Sequence, residues 1–321
     1  MDHRCTYGPV PSRRLGLSLG VDLIPYKICC YDCLYCQVGR TTDLTTARRD
    51  FIEPDRVARE VEEALRGGRA AECVTLSGSG EPTLHRGLGE VAAALRRVTT
   101  LPLVLLTNGG LLWDEEVADA ARLFDVVAPT LTAAEPEAFT RINRPHPQIT
   151  HDRMLAGLRA FCRTFTGRLR LEVLLVGGVN DSVEALRALV DAAASLGDIQ
   201  VDLNTVVRPP AYPEARPVSR DDLEAARSLF EEAGCSVSVV AAPPRGEGND
   251  SSSPAAARRL VLETIARRPC TLEDLSSALG ITAVAVSAVV DQARLDGEID
   301  DEEREGRCYY RARCLTPSTS K

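Results

Sequence analysis

Lysine is almost missing from this chain. Lys27 and Lys321 are the only two in 321 residues, so arginine carries the positive charge. Together with the abundant alanine, this reads as the mark of a GC-rich genome rather than of a basic binding surface. Net charge is −8 and the isoelectric point is near 5.2. Such a chain has no general electrostatic pull towards nucleic acid or an anionic membrane. Aromatic residues make up only 4%. No apolar run approaches the roughly 18 residues of a membrane span. The opening "MDHRCTYGPVPSRR" has no apolar core of signal-peptide length. The expectation is a cytoplasmic protein with no membrane partner.

Cysteine, in contrast, is plentiful. The chain has eleven, and four fall within "KICCYDCLYCQVG", residues 27–39. A reducing cytosol, the odd count and the large size all argue against a disulfide scaffold. The other seven (Cys5, Cys73, Cys162, Cys235, Cys270, Cys308 and Cys314) are scattered. Each reads as a small buried hydrophobe.

After residue 50 the pattern alternates between helix and strand. Val57, Val61 and Leu65 share one helical face in "EPDRVAREVEEALRGG". "CVTLSG" reads as a buried strand, and Leu88, Val91 and Leu95 mark the next helix. "LPLVLLTNGG", "FDVVAPTL", "LRLEVLLVGGV", "IQVDLNTVV" and "CSVSVVAA" follow as strands, separated by helices. The helix from Ser219 begins like a capping box, with Asp222 three residues on. Continuous apolar strands suit a parallel sheet covered by helices. With a strand at "LSLGVDLIP", 17–25, this fits an α/β fold of the incomplete (β/α)-barrel kind. A doubly wound open sheet is the competing architecture. In both, functional groups gather at the C-terminal ends of the strands. The polar turns "KICCYDCLYC", "SGSGEPT", "TNGG", "TLT" and "GGVND" all follow strands.

"APPRGEGNDSSSP" reads as a linker. The expected organisation is a first domain over 1–241, a flexible linker over 242–253, a second domain over 254–316 and a tail over 317–321. The second domain reads as three helices and a hairpin, the pattern of a winged helix-turn-helix module. Its charge does not suit a DNA reader. Residues 254–321 hold eleven acids and ten bases, and the wing begins Asp300-Asp301-Glu302-Glu303. Docking of a protein, or packing against the first domain, is the expected role.

Cys29, Cys33 and Cys36 stand in C-x3-C-x2-C spacing, with Cys30 an extra neighbour. A structural zinc site wants four ligands, and no second knuckle follows at a suitable distance. His85, His146 and His151 are not in ligand spacing. An ordinary four-iron cluster also takes four thiolates. Three would leave one iron open to bind a small molecule.

This spacing, with Tyr35 before the last cysteine, resembles the signature of the radical S-adenosylmethionine (radical SAM) superfamily. The resemblance implies a partial (β/α)6 TIM-like radical SAM barrel. It also implies a [4Fe–4S] cluster on Cys29, Cys33 and Cys36, with S-adenosylmethionine (SAM) on the fourth iron. "GSGEPT" is similar to the superfamily's Gly-Gly-Glu-Pro element. That assigns Gly78, Ser79, Gly80, Glu81 and Pro82 to the SAM amino group, with Ser79 where a glycine is common. On residues alone the same stretch reads equally as a glycine-rich turn. The runs "YGPVPSRRLGLSLGVDLIPYKICCYDCLYCQVGRTT", "RINRPHP", "GGVNDS" and "LNTVVRPP" resemble a bacterial radical SAM group distantly similar to tRNA wyosine-synthesising enzymes. Cys30 is a non-ligand in that comparison. Thr130-Leu131-Thr132 departs from the Ser-Leu-Asp of relatives, so that a hydroxyl or a changed contact stands where an Asp would meet the ribose or substrate; the resemblance assigns Thr130 to the cofactor site. Only Cys5 lies upstream, so a second cluster is not expected.

Thr107-Asn108-Gly109 reads either as a strand-end turn or as a hydrogen-bonding surface for SAM. Asn180-Asp181 reads first as a helix N-cap and second as a ribose contact. Arg141, Asn143, Arg144 and His146 form a polar run that fits a substrate mouth or a solvated loop equally, and "PSRR" is open in the same way. Arg208, at a strand end, favours function. The expected protein is a radical SAM enzyme of unknown substrate, served by an external electron donor. The competing readings are an iron–sulfur-sensing regulator with the winged helix as output, and a tRNA modifier.

Overall fold

A computed structural model describes residues 4–12, 14–67, 70–240, 254–304 and 306–313. The linker at 242–253, Arg13, Cys314 and the tail at 317–321 lie outside the described residues.

The chain opens with an antiparallel hairpin, β1 (Thr6–Ser12) and β2 (Gly16–Val21). The sequence gives no sign of β1, because Pro9 and Pro11 argue against a strand inside a sheet. β1 lies at the sheet edge, where a missing N–H is tolerated. Two short strands, β3 (Ile28–Cys29) and β4 (Asp43–Leu44), pair in parallel and close the neck of the cysteine loop.

Helix and strand then alternate as the apolar pattern dictates. They run α1 (Pro54–Arg66), β5 (Cys73–Leu76), α2 (Leu88–Val98), β6 (Leu103–Thr107), α3 (Glu115–Ala121) and β7 (Val126–Leu131). Next come α4 (Pro136–Asn143), α5 (His151–Thr164), β8 (Arg168–Leu175), α6 (Val183–Ala194), β9 (Gln200–Thr205), α7 (Arg220–Glu232) and β10 (Ser236–Val239). The sheet has eight strands in the order β1-β2-β5-β6-β7-β8-β9-β10. All but β1 run parallel. The order never reverses, so the doubly wound alternative, which needs a switch point, is excluded. Each parallel strand therefore delivers its C-terminal end to the same edge, one after another.

Leu76, Leu103, Leu105, Val127, Leu171, Val201 and Leu203 on the strands are fully buried, as are Val57, Val61, Leu88, Val91 and Leu95 on the covering helices. Each such side chain contributes about 1.5–3 kcal/mol on burial. Asp114, Thr150, Ser182 and Ser219 cap helix N-termini through their side chains. The expected cap at Asn180-Asp181 is thus corrected. Ser182 caps α6, and Asn180 is instead 1% exposed, tying Thr132 O to Leu174 O through its amide.

The C-terminal unit holds α8 (Pro254–Ile265), α9 (Leu272–Leu279), α10 (Ala283–Leu295) and an antiparallel hairpin of β11 (Ile299–Arg304) and β12 (Arg307–Ala312). Thr271 and Asp274 form a reciprocal capping box, and Gly280 ends α9 at φ 63°. Its core of Val261, Ile265, Leu275, Val286, Val290 and Ile299 is separate from that of the sheet. The unit nevertheless docks on the sheet. Tyr309 Oη donates to Val207 O at 3.1 Å, and Arg304 donates to Ala215 O at 3.1 Å. Among the described residues no helix is long and apolar enough to cross a membrane.

Candidate functional site

The cysteine loop leaves β2 and runs over the C-terminal ends of β5 and β6. Its conformation is imposed by neighbours on three sides. Below it, the Lys27 N–H donates to Ser79 O at 2.8 Å and the Glu81 N–H donates to Ile28 O at 3.1 Å. Beside it, Leu34 N–H donates to Ile142 O, Asp32 N–H to Asn143 O, and His146 N–H to Cys30 O. The polar run at 141–146 is therefore neither a free loop nor simply a mouth: its backbone braces the cysteines. On the outer side Tyr212 is stacked between the guanidinium groups of Arg40 and Arg144, and its hydroxyl meets Asp32.

The turn at Gly78–Pro82 fits beneath the loop because it lacks side chains at two points. Gly78 has φ 143°, and a Cβ there would sit 2.3 Å from Asp22 Cγ. A Cβ on Gly80 would sit 2.2 Å from Ile28 O, inside the neck of the loop. Asp22 accepts from both the Ser79 N–H at 3.0 Å and the Ser79 hydroxyl at 2.6 Å. Glu81, 3% exposed, accepts from Thr83 N–H and Oγ1, Thr107 Oγ1 and Asn108 N–H. Burial pushes the Glu81 carboxyl up, against these bonds that favour its charged form. Glu81 and Thr107 thus engage each other and lock the ends of β5 and β6 together.

Asn108 reaches the cysteines themselves. Its Nδ2 lies 3.2 Å from Cys30 Sγ and 3.6 Å from Cys29 Sγ, while its Oδ1 accepts from the Gly110 N–H at 2.8 Å. Tyr35 is half-buried between the main core and a smaller cluster with Leu34 and Ile142. Thr130 stands further round the sheet, its hydroxyl 3.3 Å from Glu172 Oε2. The predicted residues therefore converge on one edge, with Thr130 turned to a carboxylate the sequence did not single out. Glu172 also accepts from Asn204 at 3.0 Å and pairs with Arg14 at 2.9 Å.

Lys27 is the other residue that sequence reasoning passed over. It is 3% exposed, and its Nζ donates to Cys36 Sγ at 3.1 Å. Burial works against its charge, but the sulfurs of Cys36, Cys29 and Cys33 outweigh that and its pKa rises. Its φ of 55° lies in the left-handed region, which is uncommon for a residue other than glycine. The signal was present: the single lysine in the first 320 residues stands two positions before Cys29.

The donor set suits a thiolate-bound cluster. A buried ammonium demands an anion, and the anions within reach of Lys27 are sulfurs. A hydrogen bond from Cys30 pulls the Cys29 pKa down. Burial, then the charges of Cys29 and Cys36, push the Cys33 thiol up. The charge pressing on Cys33 would be relieved by a cationic iron core bound to these sulfurs. A structural zinc site takes four ligands, and only three cysteines stand in the C-x3-C-x2-C spacing.

Residues 23–193 match the Radical SAM superfamily. The chain belongs to that superfamily. Its members use a [4Fe–4S] cluster and SAM, and they require an electron donor and a substrate. A UPF0026 protein of Methanocaldococcus jannaschii is 29% identical over 95% of this chain and 94% of its own length. A Brachyspira hyodysenteriae protein named GTPase Obg is 31% identical over 95% of this chain, which spans 44% of that protein. In fold, the chain is similar to a solved structure of TYW1 with a lysine-pyruvate adduct bound. The TM-score is 0.51 at 16% identity, covering 70% of this chain and 76% of that one.

Proposed function

We propose that the protein is a radical SAM enzyme whose cluster is held by Cys29, Cys33 and Cys36 at the mouth of a partial (β/α)6 barrel. A cluster held there would supply the electron for reductive cleavage of the S–C5′ bond of SAM, releasing methionine and giving the 5′-deoxyadenosyl group its capacity to abstract hydrogen from a substrate. The chain's own residues do the rest. Lys27 steadies the sulfur of Cys36 and excludes water beneath it. Asn108 fills the space beside Cys29 and offers its amide to the sulfurs. The Gly78–Pro82 turn packs closely against Asp22 and Ile28 because Gly78 and Gly80 carry no side chain, and its backbone carbonyls are the acceptors assigned to the SAM ammonium group. Tyr35, Thr107 and Thr130 complete the walls. The C-terminal unit is read as a winged helix facing protein rather than DNA, since its hairpin acids pair with its own arginines.

The observation that carries this reading is the buried Lys27 Nζ–Cys36 Sγ contact inside the C-x3-C-x2-C loop. The test is anaerobic reconstitution with iron and sulfide, addition of dithionite and SAM, and mass-spectrometric quantification of 5′-deoxyadenosine. Wild-type protein should form it, and Cys33→Ala should not. Absence of both cluster and SAM binding in the wild type would overturn the reading.

A further inference from the structure

A cavity of about 210 Å³ opens between the sheet and the C-terminal unit. Ser77 and Gly78 place it against the proposed SAM turn, and Gln37 and Val38 place it against the exit of the cysteine loop. Four arginines line it: Arg14 and Arg208 from the first domain, Arg267 and Arg268 from the end of α8.

Their charges are unequally answered. Arg14 faces Glu172 at 2.9 Å as an ion pair, without hydrogen-bond alignment for its Nη1. Arg267 stacks 4.5 Å over the Tyr7 ring and spends its terminal nitrogens on Glu263 O and Arg4 O, with Asp22 3.7 Å from its Nε. Arg208 is 8% exposed, yet Asp274 is 3.9 Å away, Gln37 offers only a 3.3 Å contact, and its Nε has no partner. Arg268 has no carboxylate within 4.0 Å among the described residues. Burial, and then the charge of Arg268, push the Arg208 pKa down. Two guanidinium groups lining one cavity, one of them buried with an unpartnered Nε, call for an anion between them.

We propose that this cavity seats the phosphate or carboxylate of an anionic substrate, gripped by Arg208 from the sheet and Arg268 from the C-terminal unit. The proposal rests on the radical SAM reading, which makes the cavity next to the turn the substrate site. It gives the C-terminal unit a function: it completes the pocket, and so substrate can be processed only when the unit is docked.

The test uses full-length reconstituted protein and isothermal titration calorimetry with two probes, inorganic pyrophosphate and citrate. At least one should bind at a single site, and which one does separates a phosphate from a carboxylate substrate. Arg208→Gln and Arg268→Gln should each weaken binding by about 10- to 100-fold, the loss of one charge-assisted contact. Arg163→Gln, on the exposed face of α5, should leave it unchanged. Arg268 is only partly buried, so its variant keeps the test readable if Arg208→Gln fails to fold. Failure of both probes to bind, or equal binding by both arginine variants and wild type, would overturn the proposal. Cluster absorbance and SAM binding are recorded on the same samples. An intact cluster with no anion binding sinks the pocket assignment alone. Anion binding without cluster or SAM sinks the enzyme reading, and the substrate assignment with it.

Discussion

Beneath the cysteine loop, Lys27 and Glu81 are buried and each contact is specific; on the outer face of the C-terminal unit charged groups stay in water and pair with one another. Lys27 and Glu81 are both 3% exposed and bonded to sulfur or to two strand ends. Arg258–Glu298 and Arg294–Asp301 instead leave 38–46% of each side chain exposed. Pairs of that kind contribute about 0–1 kcal/mol each. The C-terminal unit is held by its apolar core, and the loop by buried Tyr31 and Leu34 together with a polar network through Lys27 and Glu81. The two regions should therefore fail in different ways.

The largest expected effect is at the loop. Cys33→Ala should abolish 5′-deoxyadenosine formation and leave iron content far below wild type, while the far-ultraviolet circular dichroism of the fold stays intact. Leu275→Ala, in the fully buried centre of the C-terminal core, should cost about 2–5 kcal/mol of that unit's stability. Differential scanning calorimetry should show its transition move down, with iron per chain unchanged. A loss of iron in this variant would mean the two regions are not independent in the way described.

Lys27→Met keeps the length of the side chain and removes the ammonium. It should remove about 1.5–3 kcal/mol of charge-assisted bonding to sulfur. The cluster's midpoint potential should fall, because the oxidised form loses less from removal of a positive charge. An unchanged potential in a spectroelectrochemical titration would show that Lys27 serves packing alone. Gly80→Ala drives a Cβ to within 2.2 Å of Ile28 O. Such overpacking costs about 1–3 kcal/mol, read as a lower Tm and weaker SAM binding. Thr130→Ala should be mildest. It removes a 3.3 Å hydrogen bond to Glu172, a loss of about 1 kcal/mol in chemical denaturation.

The same contrast explains what could be read from the sequence. Helices and parallel strands were legible because apolar periodicity sets them; the order of the strands was not, because even alternation fits a doubly wound sheet as well as the linear order found. The C-terminal helices and hairpin were legible for the same reason. The cysteines and the turn at Gly78–Pro82 could be found because they are local motifs. β1 escaped because edge position, not composition, makes Pro9 and Pro11 tolerable. Glu172, Asp22 and the bracing by Ile142 and Asn143 escaped because they act across 32 residues of chain or more, a separation no local pattern records. Asn180 was misread as a cap because a buried amide bridging two carbonyls and a polar helix start look alike in one dimension.

The central claim is that Cys29, Cys33 and Cys36 hold a four-iron cluster with one iron open to SAM. Electron paramagnetic resonance of the dithionite-reduced protein, recorded with and without SAM, tests it most directly. The account predicts a reduced-cluster signal, about four irons per chain, whose g-values shift when SAM is added, and no such signal in Cys33→Ala. A signal indifferent to saturating SAM, or one that survives in Cys33→Ala, would contradict it.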